Sequence, residues 1–204
     1  MSDPHLERPL SALDAIYTRR SVRKFTGDRL DDATVRALID AAVQAPNAQL
    51  EQPWLFAVVQ DRTLLRSLSD LAKTLWTSAP ALRAALHGHD MSVPPAAIAA
   101  RVADPGFDIF YGAPVLIVIC ARRPDEFVTA ACWLAAENLM LAACALGLGS
   151  CCIGGAIPAL RTPEGRRLLG LPDDVTAIAP IVLGVGAGEV EPVPRRDPEI
   201  LCWR

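Results

Sequence analysis

Two hydrophobic periods alternate along the chain, and the alternation predicts a mixed α/β fold. Apolar residues recur at helical spacing over 11–18 and again over 31–45. The second stretch reads Val35, Leu38, Ile39, Ala42 and Val43, with Asp31 or Asp32 placed to cap it. A short apolar run at 55–59, just after Pro53 and Trp54, predicts a strand, and Asp61 then caps a helix reaching about Trp76. Residues 113–121 form a continuous apolar run rich in β-branched side chains, the pattern of a strand covered on both faces in the centre of a sheet. The stretch 124–146 is apolar nearly all round, at Trp133, Leu134, Leu139, Met140, Leu141 and Leu146, which predicts a helix buried on most sides and ended by Gly147 and Gly149.

Shorter elements complete the pattern. Residues 150–153 read as a strand, Thr162 and Pro163 open a helix as cap and first residue, and Gly170 closes it. The last internal strand falls at 177–186, and the tail 189–204 holds Pro192, Pro194 and Pro198, too many for an ordinary helix. From Thr77 to Phe110 the periodicity weakens among several prolines, so this stretch predicts short helices and loops where a substrate lid would sit. No repeat or linker interrupts the chain, and 1–204 is expected to be one α/β domain.

Composition adds a surplus to be covered. The sequence is 51% hydrophobic with a mean hydropathy of +0.27, rich for an ordinary soluble surface, and an oligomer interface is the simplest cover. Residues 139–160 run for 22 positions without a charge, long enough to span a bilayer. Gly147, Gly149, Gly154, Gly155 and Pro158 crowd the second half, however, and no close basic flank orients it, so a buried helix running into a turn and strand is the reading, with no membrane partner. Twenty basic residues against 23 acidic ones create no field for nucleic acid. The N-terminus lacks the apolar core of a signal peptide, and six cysteines form no metal spacing, so free thiols in a reducing cytoplasm are expected.

The chemistry-bearing candidates begin with Arg19, Arg20, Ser21, Arg23 and Lys24, four cations and a hydroxyl directly after a helix. Arginine forks pair bidentately with phosphate, although a solvated basic loop has the same composition. A second basic pair, Arg195 and Arg196, sits in the proline-stiffened tail, and the two clusters would suit one dianion. GVGAGE at 184–189 and GLGSCC at 147–152 both miss the dinucleotide fingerprint. His87, His89 and Asp90 lack a further ligand nearby and read as a polar loop rather than a metal site. Cys151 and Cys152 read as small core residues, and no nucleophile motif of the GxSxG kind occurs.

Taken in order, RRSVRKF at 19–25, APNAQLEQPW at 45–54, FYGAPVLIV at 110–118, ENLMLAACALGLGSCCIGG at 137–155 and the LGVG and PRRDPE pieces at 183–199 resemble the FMN-dependent nitroreductase family. The likeness covers nearly the whole chain apart from 75–109. It implies a homodimer with a central, mixed, mostly antiparallel sheet of four to five strands flanked by helices. FMN would lie at the subunit boundary, and the tail 189–204 would pack on the partner. By the same resemblance Arg19, Arg20 and Ser21 hold the phosphate and ribityl chain, completed by Arg195 or Arg196. Arg23 would be the catalytic cation, beside the pyrimidine edge of the ring, where reduced flavin gathers negative charge. The 45–54 loop, with Asn47, Gln49 and Gln52, would reach the flavin from the second subunit. Here Asn47 stands for a small hydroxyl residue and Leu50 for an asparagine, which makes the acceptor pocket more apolar. Ile153, Gly154 and Gly155 would bring a backbone N–H to flavin N5, glycine allowing a close approach to a flat ring. The implied activity passes electrons from NADH or NADPH to a small organic acceptor of nitroaromatic or quinone type. The alternatives are a specialised flavin dehydrogenase, a reductive dehalogenase of the same fold, or a flavin-storage protein without turnover.

Overall fold

The computed structural model describes residues 10–78 and 95–204. The proposed polar loop at His87, His89 and Asp90 and residues 79–94 of the expected lid lie outside the described residues. Within them, the helices are α1 (Ala12–Thr18), α2 (Asp32–Ala42), α3 (Arg62–Ser78), α4 (Pro95–Ala103), α5 (Glu126–Ala145), α6 (Ile157–Leu160) and α7 (Pro163–Leu169). The strands are β1 (Trp54–Val59), β2 (Val115–Arg122), β3 (Gly149–Cys152) and β4 (Val175–Gly184), in sheet order β1-β2-β4-β3.

Local chemistry fixes the helix starts. Ser11 and Asp14 form a reciprocal capping box on α1, Asp31 accepts from the Thr34 amide to open α2, and Asp125 does the same for α5 through the Val128 amide. Thr162 caps α7 with Pro163 behind it, and Gly170 ends that helix at φ +65°. The sheet is simpler than the expected mixed one, since every named strand pair is antiparallel and the parallel component is a single bridge between Ser21 and Ser150. β2 lies inside, and all of it except Arg122 is buried, as its unbroken apolar run requires.

Two cores follow from the two faces of β2 and β4. Leu38, Ile117, Ile119 and Leu139 join α2 and α5 to one face, while Phe110, Leu116, Val118 and Leu160 join α3 and α6 to the other. At roughly 25 cal/mol per Å² of apolar surface removed from water, these layers are the main source of stability.

One expectation needs correction. α5 buries Val128, Ala131, Cys132, Ala135, Ala136, Leu139 and Ala143, but Phe127, Trp133 and Leu134 face outward in the single protomer. A helix rotates its residues by about 100° each, so an all-round apolar sequence cannot be covered by one sheet alone. By length and composition α5 is also long and apolar enough to cross a membrane. The uncharged stretch 139–160 is not one helix, because α5 stops at Ala145, Gly147 turns at φ +71°, and β3 and a 3-10 turn follow.

Candidate functional site

The arginine loop is stitched to the outer edge of the sheet. The Val22 amide donates to the Ser150 carbonyl at 2.9 Å, and beyond β4 the Thr26 amide donates to Val185 and the Ala187 amide to Lys24. Gly149 makes this docking possible, since a Cβ there would lie 2.8 Å from Val22 Cγ1. The loop therefore runs alongside β3 rather than standing free in solvent.

Arg19, Ser21 and Arg23 come together around the thiol of Cys151. Burial pushes that thiol up, while the Arg23 charge, hydrogen bonding to Ser21, the Arg19 charge and hydrogen bonding to Arg23 pull against it, and the net direction is upward. Arg19 Nε is buried without a hydrogen-bond partner among the described residues. It lies 3.5 Å from Glu137, an ion-pair distance that makes no hydrogen bond. Arg20 behaves differently, because its Nη1 donates to the carbonyls of Tyr17 at 2.7 Å and Arg19 at 2.9 Å and so closes the end of α1. A crevice of about 290 Å³ opens here, walled by Thr18, Arg19, Arg20, Val22, Ser150 and Val190 among others. A larger cavity of about 420 Å³ between α3 and residues 105–113 contains none of the sequence-predicted groups. The smaller crevice is the better candidate because Arg19, with its unpaired buried Nε, lines it.

The Ile153–Gly155 turn begins where β3 must end. Pairing stops at Cys152 opposite Ile181, and the next residue on β4 is Pro180, which has no N–H to offer. Its carbonyl accepts from the Ile153 amide at 2.8 Å, and the chain then peels into a 3-10 turn over Gly154–Ala156. The Ala156 amide bonds back to Ile153 and the Ile157 amide to Gly154. The amides of Gly154 and Gly155 have no partner among the described residues. A Cβ on Gly154 would meet nothing within 4 Å, so the outer side of this turn is open to a flat ligand. From Ser150 to Gly154 is four residues, about 13 Å at strand rise, so β3 carries a cationic end and an amide end along one edge.

The loop at 45–54 is elsewhere in the protomer. It leads into Trp54, which opposes Ala121 on β2, whereas Ser150 opposes Leu183 beside the other end of the sheet. β1 and β3 are three strand spacings apart, about 14 Å, so the two sites occupy opposite corners. The loop is strained: Gln49, Leu50 and Gln52 have φ of 51°, 58° and 47°. Asn47 Oδ1 is engaged locally, accepting from the Gln52 amide at 2.9 Å. Leu50 projects into solvent with 81% of its surface exposed. Arg195 and Arg196 are exposed and make no hydrogen bond or ion pair among the described residues.

Sequence reading missed Trp76, whose Nε1 donates to the Gly155 carbonyl at 2.7 Å. It missed Cys151 as the meeting point of the loop because alternation marked that residue only as core.

A family model described as the nitroreductase family matches residues 16–186, from α1 to just past β4. The chain belongs to the nitroreductase family. A relative in Archaeoglobus fulgidus, provisionally named an NADH dehydrogenase/NAD(P)H nitroreductase, is 31% identical over 177 residues, which is 84% of this chain and 83% of that protein. The nitroreductase fold extends through the solved structures. A nitroreductase with bound FMN from Bacteroides fragilis superposes with a TM-score of 0.79 at 23% identity, covering 96% of this chain and all of the other. The FMN and NADPH-dependent nitroreductase NfnB of a Sphigopyxis strain gives 0.70 at 24% identity, covering 96% and 99%.

Proposed function

We propose that this member of the nitroreductase family is an FMN-dependent oxidoreductase that takes hydride from NADH or NADPH and reduces a small organic acceptor of nitroaromatic or quinone type. One observation carries the reading: buried Arg19 Nε and the amides of Gly154 and Gly155 are unengaged donors along a single strand edge. Buried donors are normally paired in folded proteins, so a buried guanidinium nitrogen left open at a crevice, with two open amides farther along the same edge, fits a polar ligand.

The residues suit FMN. Arg19 and Ser21 would hold the phosphate and ribityl chain, Arg20 would set the loop by closing α1, and Arg23 would place positive charge beside the pyrimidine edge of the ring. The Ile153–Gly155 turn would present an amide to N5. When bound, FMN supplies the redox chemistry, accepting hydride from the nicotinamide and delivering reducing equivalents to the acceptor. The chain's own part is to orient the ring, stabilise charge near Arg23 and exclude water. No side-chain nucleophile or metal is needed for that division of labour.

The functional unit is a homodimer. Leu13, Ile16 and Tyr17 on α1 and Phe127, Trp133 and Leu134 on α5 are exposed, and the two helices pack against each other. Apolar groups gathered in this way favour a partner. A second copy would also bring its Asn47, Gln49, Leu50 and Gln52 loop to this protomer's flavin, which the opposite-corner arrangement prevents within one chain. The tail with Arg195 and Arg196 would lie on that partner. The compartment we assign is the cytoplasm, in keeping with six free cysteines.

Purified protein should be yellow, bleach on stopped-flow mixing with NADH or NADPH, and recover its colour with a nitroaromatic or quinone. Failure of colourless protein to take up added FMN overturns the cofactor assignment. Flavin that binds but neither bleaches nor recovers indicates storage rather than turnover.

A further inference from the structure

Two adjacent glycines make the Ile153–Gly155 turn the most conformationally permissive point on the β3 edge, and its orientation needs an external anchor. α3 supplies one. The half-buried indole of Trp76, in the last turns of that helix, donates from Nε1 to the Gly155 carbonyl at 2.7 Å. That carbonyl shares a peptide with the Ala156 amide, which bonds to Ile153 at 2.9 Å, so the peptide plane is held on both sides. Trp76 makes the only side-chain hydrogen bond to the backbone of 153–155 among the described residues.

The packing is as directional as the hydrogen bond. A Cβ on Gly155 would sit 3.2 Å from Trp76 Cζ2, 3.5 Å from Nε1 and 3.6 Å from Ile109 Cδ1, whereas one on Gly154 would meet nothing within 4 Å. The indole thus fills the side of the turn next to Gly155 and leaves the side at Gly154 open. Backbone bonds from Ala156 and Ile157 to the Ile153 and Gly154 carbonyls set the turn from within, and the indole adds the side-chain anchor that holds Gly155, on its carbonyl and against its Cα, in place.

We infer that Trp76 is a positioning residue for the flavin: its indole N–H holds the Gly154–Gly155 turn so that an amide faces N5, and thereby tunes the bound cofactor without touching it. This rests on the proposed reading of the turn as the N5 donor. N5 of the oxidised ring accepts a hydrogen bond, while in the reduced ring it carries hydrogen. Losing a well-aimed amide therefore destabilises the oxidised state and moves the midpoint potential upward.

The test compares Trp76→Phe, which keeps an aromatic ring but removes the donor, with Trp76→His, whose Nε2 occupies the ring position of the indole nitrogen. FMN dissociation constant, midpoint potential and the rate of flavin reduction at saturating nicotinamide are measured on each holoprotein. W76F should retain FMN, shift the midpoint upward by about 30 mV for a tenfold change in the two-electron equilibrium, and speed reduction, in step with the larger driving force, through kcat rather than KM. W76H should restore both. A W76F protein with unchanged midpoint and rate overturns the inference, and so does a W76H protein as altered as W76F, because packing alone would then matter. If W76F does not fold, Gly155→Ala presses the indole from the opposite side and should raise the midpoint likewise, and an unchanged value there overturns the inference. If the wild type takes up no FMN, the flavin reading itself falls, a result distinct from a wild type and variants that bind FMN identically.

Discussion

Replacing Arg19 with alanine separates a binding residue from a structural one. In the free protein its Nε is buried without a hydrogen bond and its ion pair with Glu137 spans 3.5 Å, with the Glu137 side chain 47% exposed. Such a solvent-screened pair contributes at most about 1 kcal/mol. An unsatisfied buried donor costs about 1–3 kcal/mol, so deletion relieves roughly as much as it removes. The flavin-free protein should keep its stability or gain slightly. A charge-assisted hydrogen bond to phosphate contributes about 1.5–3 kcal/mol, so FMN affinity should fall by roughly one to two decades. The assay pairs fluorescence titration of FMN into the flavin-free protein with denaturation in its absence. Arg20→Ala is the contrasting control, since its guanidinium engages the Tyr17 and Arg19 carbonyls. Its loss should cost about 0.5–1.5 kcal/mol of stability even without flavin. An Arg19→Ala protein with unchanged FMN affinity, or one destabilised as much as Arg20→Ala, would refute the reasoning.

Two further outcomes are open to direct measurement. Burial pushes the Cys120 thiol up to about 12, with the neighbouring Cys132 adding to it, and burial alone pushes Cys132 up to about 11, both from an ordinary value of 9.0. Because the folded values are raised, the stability of these protonated thiols is fully present below pH 9 and is lost as pH rises from there through 11 and 12, by up to about 1.4 kcal/mol per unit for each thiol. Urea denaturation at pH 8 and pH 10 should show the fall, and Cys120→Ala should lessen it; an equal slope in that variant would rule the cause out. Leu134→Glu together with Tyr17→Asp places charge on the exposed α1 and α5 surfaces and should convert a dimer to monomers by light scattering, with loss of FMN. A variant that remains dimeric and yellow would move the interface elsewhere.

Local chemistry made most of the fold legible from the chain. The expected caps at Asp31, Asp61 and Thr162 fall where their helices begin, because a side-chain oxygen within three residues satisfies the first free amides, and the structure adds Ser11 and Asp125 by the same rule. β2 declared its central place by being apolar at every position before Arg122, since only a strand covered on both faces tolerates that. The basic loop and the double glycine were visible as residue types suited to phosphate and to close approach. Their grouping was not, because strand pairing is long-range. Whether Ser21 lies against Ser150 depends on Gly149 giving way to Val22.

Tertiary structure also decided what sequence patterns treat as equivalent. Arg19 and Arg20 are identical adjacent residues, yet one has an unengaged Nε in a crevice and the other closes a helix, a difference set by which side of the backbone each leaves. Trp76 looks like any amphipathic helix aromatic until α3 lies across the Ile153–Gly155 turn. α5 is apolar nearly all round in the chain, but only the sheet determines which side stays outward. Hydrophobic periodicity and capping act within a few residues and so are written in the chain. Hydrogen-bond engagement and exposure depend on partners tens of residues away, and only the folded arrangement assigns them.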